Sequence, residues 1–120
     1  MTFFVKYDSI ILSLKLKRWT VLLEEAGVRI DVQFRVSKGS VTHFSVNLSY
    51  DTEAGSFDIY RCDSAHEYIH CHKFWISEEH TESKSFAGKT HAEALTEAYE
   101  DLKADWRSYL ERFKEAKRLE

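Results

Sequence analysis

Three of the six histidines of this chain lie close together, in a segment that also contains both cysteines. The segment covers residues 60–72 and reads YRCDSAHEYIHCH. Histidine is the side chain whose ordinary pKa lies closest to neutrality, so it can act as a general acid or base or as a metal ligand. On a strand, His70 and His72 would point to one face because side chains alternate with a period of two. Arg61 and Asp63 would likewise share a face of the preceding strand.

One interpretation of this segment is metal-independent acid–base catalysis. A turn between two strands would bring Arg61, Asp63, His66 and His70 together. Arg61 would contact a phosphate or carboxylate, Asp63 would orient one histidine, and the two histidines would act as acid and base. Such a set suits RNA cleavage, in which a base takes the proton of the 2′-hydroxyl and a cation stabilises the charged phosphate.

A second interpretation is a metal site. His70 and His72 could ligate one ion, since imidazole suits zinc, nickel and copper. His66 or Asp63 could supply a third ligand, and an open coordination position would then make the site catalytic. The sequence indicates no other cofactor, so the prediction is none, with a divalent transition metal as the alternative.

A third interpretation is structural, because ion pairs and surface histidines imitate functional sites. Arg61 and Asp63 would then form a same-face ion pair. Cys62 and Cys71 are expected to be small buried core residues rather than nucleophiles. The other histidines are expected to be isolated on the surface: His43, His80 and His91.

The composition predicts one folded domain over residues 1–120. The chain is 43% hydrophobic and 14% aromatic, which is enough for a core. Its net charge of -3 argues against a broad, non-specific nucleic-acid surface, although a local basic patch could still bind RNA. Neither a signal peptide nor a membrane span is recognisable. We therefore expect a cytoplasmic protein without membrane association and with both thiols reduced.

The hydrophobic pattern predicts an α+β fold in which helices cover one face of an antiparallel four-stranded meander. The order is helix, four strands and a long C-terminal helix. Strands are predicted over 28–36, 43–50, about 57–63 and about 68–76. The polar face of the sheet is a potential binding surface, and its first two strands contribute Arg29, Asp31, Gln33, Arg35, His43, Ser45 and Asn47.

The two predicted helices differ in how clearly the sequence marks them. Residues 9–26 alternate as a strand would, but the helix formers in 22–26 favour a helix, so helix and strand remain alternatives there. At the C-terminus, Thr90 and Glu93 form a predicted capping box before a long apolar stripe. The end of that helix, 111–120, is expected to project, fray or meet a partner.

The hairpin resembles small prokaryotic proteins with the pattern Arg-Tyr-Asp-x-Ala-His-Gly-x-x-His, some of which are TumE-like toxins. The matching residues are Arg61, Asp63, Ala65, His66 and His70, with Tyr60 just before them. Cys62 stands where tyrosine is usual and Glu67 where glycine is usual, and the lost glycine suggests a different turn. The coarse helix–meander–helix order is also similar to RelE-like toxins, which cleave messenger RNA on ribosomes but are usually basic.

This resemblance implies a cytoplasmic toxin-like component of a toxin–antitoxin pair, with an antitoxin-like protein partner. We expect it to act as a metal-independent ribonuclease through Arg61, Asp63, His66 and His70. The alternatives are a non-catalytic protein-binding module and a small metal-binding protein that uses His66, His70 and His72. The sequence leaves open whether the chain forms a homodimer.

Overall fold

The computed structural model describes residues 3–11, 14–65, 68–85 and 87–118, with side chains for 16–64, 68–85 and 87–118. Within these ranges, seven strands are followed by one helix. The strands are β1 (Phe3–Ile11), β2 (Leu14–Leu22), β3 (Val28–Ser37), β4 (Ser40–Thr52), β5 (Gly55–Ala65), β6 (Tyr68–Lys73) and β7 (Glu82–Ser85), and the helix is α1 (His91–Lys117).

The described strands form one antiparallel sheet, and their order in space is their order in the chain. Tight turns make this possible: Lys38 and Gly39, between β3 and β4, have φ values of 52° and 80°, as two-residue hairpins require. The predicted α+β meander is confirmed, but the number of four strands is wrong, because the described residues contain seven. Strand β7 has the sequence ESKS, which lacks the apolar alternation by which strands are recognised.

The predicted helix over 9–26 is also wrong, because most of this stretch lies in β1 and β2. Strand β2 pairs with β3 along its length, from Leu22 opposite Arg29 to Lys15 opposite Val36. The strand-like alternation seen in the sequence is therefore the correct pattern. The helix-forming residues after β2 instead lead into a turn that ends at Gly27, where φ is 85°.

Helix α1 covers one face of the sheet, over β3, β4 and β5. It begins as predicted: the Glu93 amide donates to Thr90 Oγ1 at 3.1 Å, and the Thr90 amide donates to Glu93 Oε1 at 2.9 Å. Its buried residues repeat at helical spacing, at Ala94, Leu95, Leu102, Trp106, Leu110 and Phe113. They pack on alternate apolar residues of the sheet, among them Ile30, Val32, Val46 and Leu48.

Part of the end of α1, which was expected to project, fray or meet a partner, packs against the rest of the domain. Phe113 is only 2% exposed, and Lys114 Nζ donates to Glu25 Oε2 at 2.8 Å. The helix described here lacks an apolar stretch long enough to cross a membrane.

The other face of the sheet is polar, and α1 does not cover it. Asp31 lies opposite Asn47, and Gln33 lies opposite Ser45. Strand β2 continues these rows, since Thr20 pairs with Asp31 and Arg18 with Gln33. We call this surface the open face.

Candidate active site on the open face

Four polar residues of β5 and β6 form a compact group on the open face. Arg61 lies opposite His72, and Asp63 lies opposite His70. The residues between them, Cys62 and Cys71, are buried towards the helix face, so side-chain alternation puts the four polar residues on the other side. We call Arg61, Asp63, His70 and His72 the cross-strand block. The structure thus brings three of the four predicted catalytic residues together, whereas the fourth, His66, lies outside the described residues.

His72 is the best-oriented histidine of this block. Its Nδ1 atom lies 3.1 Å from the carbonyl oxygen of His80 and 3.2 Å from Thr81 Oγ1. A carbonyl oxygen can only accept a hydrogen bond, so Nδ1 carries the hydrogen and Nε2 holds the lone pair of the neutral ring. The ring also stacks on Phe74, with centroids 5.8 Å apart and an angle of 10° between the planes. Nε2 of His72 is therefore the nitrogen positioned to accept a proton.

Asp63 lies between Arg61 and His72. Its Oδ2 atom is 3.5 Å from Arg61 Nε and 3.8 Å from His72 Nε2. Both distances are longer than ordinary hydrogen bonds of about 2.7–3.2 Å. The carboxylate therefore faces the side of His72 at which a proton would be taken up, without occupying it. The Arg61 guanidinium lies 5.6 Å from the centre of the Phe74 ring, so Phe74 supports both residues.

A second layer of contacts holds the segment that orients His72. His80 Nε2 donates to Glu82 Oε2 at 2.7 Å, and Lys73 Nζ lies 3.1 Å from the same oxygen. The hydrogen bond from His80, and then that from Lys73, lowers the pKa of the Glu82 carboxyl below its usual value. The prediction that His80 is an isolated surface histidine is therefore wrong. Sequence reasoning missed its role because β7, which brings this segment beside β6, was not predicted.

A cavity of about 700 Å³ opens on the open face beside the block. Its polar side chains come from four strands and are Arg18, Thr20, Asp31, Gln33, Ser45, Asn47 and Arg61. Asp31 is already engaged, because it accepts from Thr20 Oγ1 at 2.7 Å and from Arg29 Nε at 2.9 Å. Arg18 and Gln33 are exposed, so they remain accessible to a ligand.

Two buried polar atoms on the cavity wall make no hydrogen bond within the described part of the chain. They are Asn47 Oδ1 and Arg61 Nε, which belong to directly paired residues of β4 and β5. Buried polar atoms are normally hydrogen-bonded. Asn47 and Arg61 therefore form a wall of the cavity whose hydrogen-bonding groups are not all used within the described part of the protein.

The metal alternative finds less support in this geometry. Among the residues that the structure describes, no three of the His, Cys, Asp and Glu side chains are grouped so that they could hold a metal ion. His70 and His72 share a face, as expected for a strand. A site completed by His66 would depend on a residue outside the described ranges.

The cysteines are buried as predicted, with exposures of 5% for Cys62 and 2% for Cys71. They are, however, joined by a disulfide, and their Cα atoms are 4.2 Å apart. The expectation of two reduced thiols is therefore wrong for this structure. The bond forms because the two residues lie directly opposite each other in the β5–β6 pairing, a register that the sequence did not reveal.

Comparison with known proteins gives one match. A family model described as "Domain of unknown function (DUF7718)" matches residues 14–119, which include every described residue of the block and of the cavity. No curated protein and no solved structure matches the chain.

Proposed function

The chain belongs to the family described as "Domain of unknown function (DUF7718)", and we propose that it is a toxin-like component of a toxin–antitoxin pair that cleaves RNA without a metal ion. The proposal is carried by one observation: two histidines, an arginine and an aspartate form the cross-strand block on an uncovered sheet face. The resemblance of residues 60–70 to TumE-like toxins supports the biological setting, in which an antitoxin-like protein would neutralise this chain.

Metal-independent RNA cleavage needs a base for the 2′-hydroxyl, an acid for the leaving oxygen and a cation for the phosphate. His70 and His72 are two residues apart on one strand, which separates their Cα atoms by about 6.8 Å. A phosphodiester group between the two rings could contact both. Arg61, opposite His72, lies where it could stabilise the added negative charge.

The proposed roles follow from the orientation of each side chain. Nε2 of His72 takes the proton of the 2′-hydroxyl, whose oxygen then attacks phosphorus. The bond from phosphorus to the 5′-oxygen breaks, and His70 gives that oxygen a proton. The products are a 2′,3′-cyclic phosphate and a 5′-hydroxyl. Ser83 Oγ lies 3.4 Å from Nδ1 of His70, and Asp63 faces the proton that His72 gains.

The cavity beside the block suits a nucleoside that adjoins the scissile phosphate. Its walls offer both donors and acceptors, as the edge of a base requires, and Arg18 and Arg61 supply positive charge. The net charge of the chain is -3, so binding would depend on these local cations rather than on a broad basic surface.

The direct test is cleavage of a labelled single-stranded RNA by the purified protein in the presence of EDTA. We expect His72→Ala and His70→Ala each to lower the rate by about 10²- to 10⁴-fold, the contribution of a general acid or base. His43→Ala is the matched control, because His43 is an exposed histidine on the neighbouring strand β4. Equal rates in all three variants, or products without a 2′,3′-cyclic phosphate, would reject the mechanism.

The toxin role is tested separately by inducing expression in growing cells. Wild-type protein should arrest growth, and the folded double variant His70→Ala/His72→Ala should not. If neither protein cleaves RNA or arrests growth, yet both form the same stable complex with a partner protein, the chain is a binding module instead. A thermal shift with added zinc that disappears in the same double variant would instead favour the metal-binding alternative.

A further inference from the structure

The Cys62–Cys71 disulfide and the cross-strand block occupy opposite faces of the same two strands. In β5, Cys62 stands between Arg61 and Asp63, and in β6, Cys71 stands between His70 and His72. The two cysteines are a directly opposed pair. The covalent bond between the strands therefore lies at the centre of the block, on the other side of the sheet.

Breaking this bond would change the spacing of the two strands where the block is built. Two separate sulfur atoms need more room than two bonded ones, and neither cysteine is more than 5% exposed, so neither thiol can turn into solvent without a rearrangement. The nearest cross-strand pairs on either side are Arg61 with His72 and Asp63 with His70. A backbone shift at the cysteines would move these pairs first, because each cysteine is joined by peptide bonds to two members of the block.

Strand β6 is held less firmly than β3, β4 and β5. Helix α1 packs over β3, β4 and β5, and the only described strand beyond β6 is the four-residue β7. The disulfide is thus a covalent link between β6 and the core of the sheet. Without it, the histidine-bearing strand would keep its hydrogen bonds but lose its covalent restraint.

A reductant can approach the disulfide from the helix side. A groove of about 600 Å³ lies between α1 and β5–β6, and both cysteines line it. Ala94 and Ala98 line the groove from the helix. The wall farther along the groove is aromatic, with the stacked rings of Trp75 and Tyr109.

We propose that the Cys62–Cys71 pair is a redox-modification site through which a small thiol controls the cross-strand block. The inference rests on the proposed function for its biological meaning, but not for its physical effect on the histidines. A thiolate in the groove attacks one sulfur, and the other cysteine leaves as a thiolate that takes up a proton. A second thiol of the reductant then releases the first cysteine, so the disulfide gains two electrons and the reductant forms its own disulfide. The oxidised protein holds the side chains of the block at their catalytic spacing, and the reduced protein does not.

The experiment follows the imidazole NMR signals of His70 and His72 in the whole protein, before and after treatment with dithiothreitol. RNA cleavage is measured on the same samples. We expect reduction to shift or broaden both imidazole signals and to lower the cleavage rate by up to about 100-fold, the loss caused by a misplacement of about 1 Å. The signal of His43, which lies on β4 and on neither of the two bridged strands, should not change. Reoxidation should restore both signals and the rate.

The two readouts separate this inference from the proposed function. Shifted histidine signals without RNA cleavage in either state would support the redox coupling and reject the ribonuclease. Cleavage that is the same in both states, with unchanged histidine signals, would overturn the redox coupling and leave the ribonuclease intact. The variant Cys62→Ala/Cys71→Ala supplies the control, because its signals and rate should not respond to dithiothreitol. If that variant does not fold, wild-type protein reduced and then alkylated on its thiols replaces it.

Discussion

The Nδ1 atom of His72 lies 3.1 Å from the backbone carbonyl oxygen of His80, in the connection between β6 and β7. Because the partner is a carbonyl, the hydrogen on His72 is fixed at Nδ1 and the lone pair at Nε2. Orientation of a histidine through its second nitrogen is a common arrangement in functional sites. The finding makes His72, which sequence reasoning considered only as a metal ligand, the strongest candidate for the base.

The substitution His72→Asn separates orientation from proton transfer. The amide nitrogen of asparagine lies near the position of Nδ1 and can still donate to the His80 carbonyl, but it cannot accept a proton at the position of Nε2. We expect a melting temperature close to that of the wild type and a cleavage rate lower by about 10²- to 10⁴-fold. Cleavage in EDTA and thermal unfolding, with His43→Asn as the control, provide the check. A variant that retains the wild-type rate would exclude His72 as the base.

The stability of the segment around His72 should depend on pH through the Glu82 carboxylate. Its pKa is lowered by the hydrogen bond from His80 and then by that from Lys73. A carboxyl whose folded pKa is depressed contributes stability above its unfolded pKa of about 4.3, and this contribution is lost as the pH falls through the lower folded value. The free energy of unfolding should therefore fall on acidification in this window, and less so in Glu82→Gln.

Urea unfolding from neutral pH down into this window measures the effect of Glu82. Glu53→Gln is the matched control, since Glu53 is an exposed glutamate near the β4–β5 turn. The assignment to Glu82 is wrong if both variants show the acid dependence of the wild type.

The fold was predictable where one face of a strand is buried. Strand β3 alternates Val28, Ile30 and Val32 with charged residues, and the structure gives it almost the predicted bounds. The errors came from segments whose pattern does not reflect their tertiary surroundings. Residues 9–26 carry local helix formers, but pairing of β2 along β3 overrides that preference. Strand β7 is polar, so only its pairing with β6 reveals it.

The site was predictable as a set of residues but not as an arrangement. Period-two alternation correctly put Arg61 with Asp63 and His70 with His72, because this relation is local. The register between β5 and β6, which makes the two cysteines direct partners, depends on the turn and could not be inferred from spacing. The contribution of His80 and of the cavity residues on β2 to β4 required the complete sheet.

Gly27 is expected to be essential to the β2–β3 turn for two separate reasons. Its φ is 85°, and an added Cβ would lie 2.4 Å from the carbonyl oxygen of Asp51. Gly39 has a similar φ of 80° but nothing within 4 Å of an added Cβ, so it isolates the cost of the backbone conformation. We expect Gly39→Ala to lower the free energy of unfolding by about 1–2 kcal/mol, and Gly27→Ala by about 1–3 kcal/mol more.

Equilibrium unfolding in urea measures both glycine variants. Similar losses in Gly27→Ala and Gly39→Ala would show that the backbone of Asp51 yields to the added methyl group, and the close approach would then have no structural importance.

The disulfide should stabilise the fold by a moderate amount that is separable from its effect on the block. Its sequence separation is 9, and closing a loop of that size constrains the unfolded chain by about 3 kcal/mol. Domains of this kind are stable by about 5–15 kcal/mol, so the reduced protein should remain folded in the absence of urea.

Reduction should therefore lower the urea midpoint while the far-UV circular dichroism in buffer stays unchanged. The Cys62→Ala/Cys71→Ala variant should show the lower midpoint with or without dithiothreitol. A wild-type midpoint that does not respond to reduction would mean that the pair contributes no covalent restraint in solution, and both the stabilisation and the redox control of His70 and His72 would have to be abandoned.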